Sequence, residues 1–212
     1  MIWTTSICVC RSMLSTQFSS YRIDIVDAEL YYVPNWLSQH DCVSSWYQQL
    51  ADELAWQQDE IKVFGKLHRI PRLQAWYGDA EASYRYSGQS MQPRPWSSSL
   101  SRLRHALAHD QLVFNSVLAN WYRDGHDKMG WHSDNEPELG RNPTIASISV
   151  GSSRTFQLKH RITSKRIDLE LEDGSLLIMA GPMQHFWQHA LPARKRISQG
   201  RINLTFRQVA QL

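Results

Sequence analysis

A chain of 212 residues is long enough for one sizeable core and leaves little for a second domain. Hydrophobic residues make up 42% and charged residues 20%, and no apolar run reaches the roughly 18 to 20 residues of a membrane span, which argues against an integral membrane protein. The formal net charge of +3 is too mild to announce a polyanion partner, and the three cysteines, Cys8, Cys10 and Cys42, are too few and too N-terminal to staple the chain, which suits a reducing compartment.

In chain order, residues 1–22 are Ser-rich and acid-free and read as a disordered extension. They resemble either a weak transit peptide or an over-extended reading frame that should begin at Met13; Cys8-x-Cys10 has metal-like spacing, but chance explains it better. Residues 23–212 read as one domain. Val43, Trp46, Tyr47, Leu50 and Leu54 recur at helical spacing after a cap at Asp41, predicting a helix over 41–56. Leu100, Leu103, Ala106 and Leu107 predict a second helix after Pro95-Trp96-Ser97. The period then shortens. Apolar or alternating runs at 113–122, 144–151, 155–160, 166–171, 175–181 and 201–209, separated by turn signals such as Asp124-Gly125, Asp173-Gly174 and Gly181-Pro182, predict six or more strands. Helices followed by strands make an α+β chain whose C-terminal half is a sandwich or open barrel.

His132-x-Asp134 falls in a loop just after one of these strands. Nine histidines and twelve aspartates predict roughly half of one such tripeptide by composition alone, so it proves nothing by itself. The last strand says more. In RINLTFRQV, alternation puts Ile202, Leu204 and Phe206 on one face and Arg201, Asn203, Thr205 and Arg207 on the other. The second face either meets solvent or, if buried, needs an anion for its arginines. Six residues of strand separate the arginines by about 20 Å, too far for one carboxylate but within reach of a dicarboxylate. A non-haem Fe(II) oxygenase uses such a ligand, because two His and one carboxylate leave three metal positions for a 2-oxo acid and O₂. His132 and Asp134 have the spacing to share one side of an extended segment. His185 and His189, in PMQHFWQHALP, are both placed to supply the second imidazole, and spacing does not choose between them.

An ordered set of motifs makes the resemblance specific: VFGK (63–66), PRLQAWYGD (71–79), YRYSG (84–88), NWYRDG (120–125), WHSDNE (131–136), GSLLIM (174–179), HALP (189–192) and RINLTFR (201–207). Over about two thirds of its length the chain resembles the AlkB family of Fe(II)/2-oxoglutarate-dependent dioxygenases, and within it the members that repair alkylated DNA. The resemblance implies a double-stranded β-helix (jelly-roll) core at about 112–209, N-terminal helices and a nucleotide-recognition lid at about 60–95. It implies Fe(II) held by His132, Asp134 and His189, leaving His185 a surface or supporting role, with O₂ and 2-oxoglutarate as co-substrates. Asn120, Tyr122, Arg201, Asn203 and Arg207 would hold the 2-oxoglutarate, Arg201 at its distal carboxylate and Arg207 nearer the iron. The implied reaction is oxidative demethylation of bases such as 1-methyladenine and 3-methylcytosine, with formaldehyde released.

The base is implied to lie against His132, walled by Tyr84, Tyr86 and Ser87, with Tyr86 stacking and Glu136 and Asn135 on its exocyclic amine. Phe64 matches the finger that fills the gap left by a flipped base, with Arg72 and Gln74 alongside. The basic islands KHRITSKR (159–166) and RKRISQGR (194–201) read as solvated loops that suit phosphates. Asp168, Glu170 and Glu172 alternate on a strand and read as a solvated face, not a metal site. The expected partner is alkylated DNA, single- or double-stranded, or RNA; the expected state is a monomer, in a bacterial cytoplasm by default and in a nucleus or organelle if the source is eukaryotic. Two rival readings share these residues: the same chemistry on RNA or a protein side chain, and a nucleic-acid-binding module that has lost catalysis.

Overall fold

A computed structural model describes residues 14, 16–40, 45–63, 65–82, 84–86 and 89–210. The predicted helices form as α2 (Trp46–Glu53) and α3 (Ser98–His109). Ser97 caps α3, its Oγ accepting from the Leu100 amide at 3.3 Å. The cap read at Asp41 lies outside the described residues. A short helix, α1 (Trp36–His40), precedes them, and another, α4 (Met183–Phe186), interrupts the strands near the C-terminus.

Six strands appear where alternation placed them: β8 (Ser116–Tyr122), β10 (Ile145–Gly151), β11 (Arg154–His160), β12 (Arg166–Leu171), β13 (Leu176–Ala180) and β15 (Arg201–Arg207). The remainder are β1 (Arg22–Ile23), β2 (Glu29–Val33), β3 (Glu60–Val63), β4 (Lys66–Arg69), β5 (Leu73–Gly78), β6 (Tyr84–Tyr86), β7 (Gln89–Met91), β9 (Met129–His132) and β14 (Trp187–Leu191). They build a seven-stranded sheet, β1-β2-β13-β10-β15-β8-β5, and a four-stranded sheet, β12-β11-β14-β9. Two hairpins, β3-β4 and β6-β7, fall in the segment expected to form the lid.

The larger sheet is covered on both faces. Its outer face, with Ile148, Ile202, Leu204 and Phe206, packs on Trp36, Leu37, Leu50, Leu100, Leu103 and Leu107 of the helices. Its inner face meets the smaller sheet through Ile145, Leu158, Leu177, Met179 and Trp187. A sandwich of this kind leaves the alternate residues of β8, β10 and β15 between the sheets, where the site is found.

Two expectations need correction. Leu14 and Phe18, read as part of a disordered tail, are 8% and 4% exposed and belong to the main core; Phe18 packs against Tyr31 with ring centroids 6.3 Å apart. Two large side chains at helical spacing are enough to dock this segment. Residues 1–13, with Met13 and Cys8-x-Cys10, lie outside the described residues. The second correction is that His132 does not sit in a loop: it ends the strand β9. No helix among the described residues is long and apolar enough to cross a membrane.

Candidate metal centre and co-substrate pocket

The two histidines meet because β9 and β14 are antiparallel neighbours with His132 directly opposite His189. Cross-strand partners bring their Cβ atoms within about 5 Å, so side chains on the same face converge. The Nε2 atoms are 3.1 Å apart, and Asp134 Oδ1 lies 3.8 Å from His132 Nε2. One ligand atom from each of His132, Asp134 and His189 fits within 4.8 Å of the others. His185, the alternative histidine, is exposed on α4 and bonds the Arg141 carbonyl, away from this cluster.

Each ligand is held from behind. The Gly130 carbonyl, 2.9 Å from His132 Nδ1, can only accept, so Nδ1 donates to it and Nε2 is the ring nitrogen turned to the cluster. Phe156 stacks on His189, centroids 5.3 Å apart. Burial above all, with the charges of His132 and Arg207, pushes His189 down to about 3 against the pull of Asp134, which leaves a neutral imidazole suited to a metal. Asp134 is 4% exposed; its amide donates to Gln184 Oε1 at 3.0 Å and its Oδ2 accepts from Arg207 Nη2 at 2.9 Å. Burial pushes this carboxyl up, but Arg207, His189 and His132 outweigh it and hold it well below the usual carboxylate range. Two imidazoles and an ionised carboxylate on one side of a point are the donor set of a ferrous centre with open positions.

Beside the cluster, the polar face of β15 is buried, not solvated: Arg201 is 1% exposed and Arg207 6%. Arg201 Nη2 donates at 2.9 Å to Ser149 Oγ and Asn203 Oδ1, both neutral, and its buried Nε has no partner. Burial pushes this arginine down to about 10, with Tyr122 and Glu170 opposing the shift and Arg154 adding to it. A buried guanidinium with an open donor fits an incoming carboxylate. Tyr122 lies across the ladder from Arg201, ring centroid 5.5 Å from the guanidinium, and Asn120 lies across from Asn203. Arg72 Nε donates to Asn120 Oδ1 at 2.8 Å, which turns the Asn120 NH₂ toward other acceptors. Asn203 lines the pocket, but its amide is engaged with Arg201, Ser147 and Thr205, so it braces the arginine. Sequence reading missed Ser147 and Ser149, although both alternate with Ile148 and Val150 in β10 and so carried the same two-residue signal as β15.

A second cleft opens on the other side of the cluster, lined among others by Arg72, Lys128, Trp131, His132 and Glu136. Burial, then the charge of Asp134, push the Glu136 carboxyl up, and its buried Oε2 has no partner. Glu136 and Arg72 both line this cleft. Asn135 does not: it is exposed. Gln74 does not line it either: it is 3% exposed, its amide donating to Asp59 while its Oε1 accepts from Arg72 Nη2 at 3.5 Å. Phe64 and Ser87 lie outside the described residues; Tyr84 and Tyr86 open and close the strand β6. Of the basic islands, Arg161 donates to Ser133 Oγ at 2.8 Å and Arg166 sits 5.9 Å from the Trp131 ring, while Arg201 is committed to the pocket. Asp168, Glu170 and Glu172 are exposed, as a solvated face should be.

Residues 29–207 match the 2OG-Fe(II) oxygenase superfamily. DNA oxidative demethylase ALKBH2 of Mus musculus is 43% identical over 159 residues, 71% of this chain and 66% of that protein. The Homo sapiens protein of the same name is 43% identical over 70% of this chain and 60% of its own length. Alpha-ketoglutarate-dependent dioxygenase alkB homolog 3 of Homo sapiens is 39% identical over 76% of this chain and 60% of its own. The chain thus spans between 60% and 66% of these three relatives. Among solved structures, "The structure of OsALKBH1" superposes with a TM-score of 0.57 over 84% of this chain and 97% of that one, at 16% identity, a likeness of fold.

Proposed function

Because the chain belongs to the AlkB family within the 2OG-Fe(II) oxygenase superfamily, we propose that it oxidatively demethylates alkylated bases in DNA, such as 1-methyladenine and 3-methylcytosine, acting as a monomer. The observation that carries this reading is the placement of His132, Asp134 and His189 between a pocket with a buried, part-open arginine and a cleft with a buried, unpartnered carboxylate oxygen. When bound, Fe(II) with 2-oxoglutarate and O₂ supplies the oxidant for a methyl C–H bond, the oxoacid leaving as succinate and CO₂.

The protein's part is positioning. His132, Asp134 and His189 hold the metal; Arg207 keeps Asp134 ionised and its second oxygen directed at the cluster. Arg201 takes the distal carboxylate of 2-oxoglutarate, with Tyr122 and the Asn120 amide beside it. A methyl on the Watson–Crick edge is inaccessible in a duplex, so the base is extruded or presented single-stranded. It lies against His132, and Glu136 Oε2 accepts from its exocyclic amine. Hydroxylation of the N-methyl carbon gives a hemiaminal that releases formaldehyde and the unmodified base.

The test is formaldehyde release from oligonucleotides carrying either lesion, in single-stranded DNA, duplex DNA and RNA, with Fe(II) and 2-oxoglutarate supplied. Turnover on DNA is expected. Turnover on RNA alone moves the assignment to RNA, and binding without turnover on any of the three leaves a silent binding module.

A further inference from the structure

A second cluster of metal-ligating side chains stands apart from everything used above. His40 closes α1, His109 closes α3, and Asp110 caps the C-terminus of α3. These helices pack on the outer face of the seven-stranded sheet, with Leu37, Leu103 and Leu107 against Ile202 and Leu204, whereas the iron centre lies on its inner face. We propose that His40, His109 and Asp110 form a separate binding site for a borderline-soft divalent ion such as Zn²⁺, clamping α1 to α3.

The distances suit such an ion. His40 Nε2 lies 3.0 Å from Asp110 Oδ2, and His109 Nδ1 lies 3.5 Å from Asp110 Oδ1. Metal bonds of about 2.0–2.1 Å set tetrahedral ligand–ligand edges of roughly 3.3–3.4 Å, and these two separations, one to each oxygen of Asp110, fall within a few tenths of an ångström of that length. One ligand atom from each residue fits within 4.8 Å of the others, the same closeness found at the iron centre. The carboxylate is oriented from behind by the Trp36 indole, whose Nε1 donates to Asp110 Oδ2 at 2.7 Å from a residue that is 1% exposed. A donor behind a ligating carboxylate is the usual support of a built metal site. Trp36 also packs on the His40 ring, centroids 4.5 Å apart, so two ligands are preset. The third, His109, has a side chain 83% exposed and can close over an ion arriving from solvent.

Two imidazoles and one carboxylate favour Zn²⁺, Co²⁺, Ni²⁺ or Cu²⁺ over Mg²⁺ or Ca²⁺, which prefer all-oxygen sites. With three protein ligands, the fourth position falls to water. The ion would tie the end of α1 to the end of α3 and so lock the helical layer on the sheet.

Co²⁺ titration of the full chain tests this, with retained metal counted as the difference between wild type and His109→Ala so that ions held elsewhere cancel. The variant is expected to retain about one equivalent less, with methyl-base turnover unchanged. The melting temperature supplies a second readout: Zn²⁺ is expected to stabilise His132→Ala, and to do so less once His109→Ala is added. Equal retention by wild type and His109→Ala, or equal Zn²⁺ stabilisation of the single and double variants, overturns the proposal and leaves a hydrogen-bonded Trp36–Asp110–His40 network.

Discussion

Arg201 shows how much one residue can be asked to do. Its hydrogen bonds go to neutral oxygens, its Nε is open, and burial opposes its charge, so an incoming carboxylate restores what desolvation removed. A charge-assisted pair of this kind is worth about 1.5–3 kcal/mol. Arg201→Met is therefore expected to raise the KM for 2-oxoglutarate by about 10- to 100-fold while kcat at saturation falls much less. Succinate formation against 2-oxoglutarate concentration measures it; an unchanged KM contradicts the clamp. That Arg201 shares a face with Asn203 and Arg207 was legible because β15 alternates strictly, so face follows from parity, while the clamp is what the resemblance implied. The surroundings of Gln74 and Asn135 were not, because a motif match fixes neighbourhood and leaves side-chain partners to the fold. Gln74 sits beside Arg72 with its amide on Asp59, and Asn135 is exposed.

Elements carry two further expectations. Phe64 falls in sequence between the paired strands β3 and β4, and Leu67 on the second of them is 67% exposed, so this hairpin projects from the core. Phe64→Ala is expected to lower turnover on methylated duplex by about tenfold, because the few kcal/mol that unstacking costs is then only partly offset, with little change on single strands. Equal loss on both substrates discards the finger. Helix α3 depends on a longer-range cap: Glu53 Oε1, at the end of α2, accepts from the Ser99 amide at 3.1 Å and from Ser98 Oγ at 3.0 Å. Burial pushes the Glu53 carboxyl up, but these hydrogen bonds outweigh it and hold it below its ordinary range. A carboxyl depressed in the folded state contributes stability that is present above its unfolded value of about 4.3 and lost as pH falls through the folded one. Glu53→Gln should thus cost about 0.5–1 kcal/mol at neutral pH, and the gap to wild type should narrow below about pH 4. Urea unfolding at several pH values reads both, and a gap constant with pH rules out the ionised cap.

At the scale of the whole molecule, a net charge of +3 understates the local basicity of the surface, because exposed Lys195 and Arg196 and residues 161–166 gather charge while Arg201 and Arg154 are buried. Replacing both Lys195 and Arg196 with Gln is expected to flatten the dependence of duplex affinity on salt by up to about 0.9 for each phosphate no longer neutralised, measured by titration at several salt concentrations. An unchanged slope removes that loop from the DNA surface. By itself the sequence determined the strand-rich core and the parity of β15, because period and residue chemistry are local properties, while the ordered motifs gave the family resemblance from which the candidate iron and co-substrate residues were carried over. Spacing left His185 and His189 open and the resemblance implied His189; the tertiary structure sets His189 opposite His132 across the ladder. Only it drew Phe18 into the core and joined α1 to α3 through Asp110. Pairing register and packing bring together residues distant along the chain, and no local pattern encodes which of them will meet.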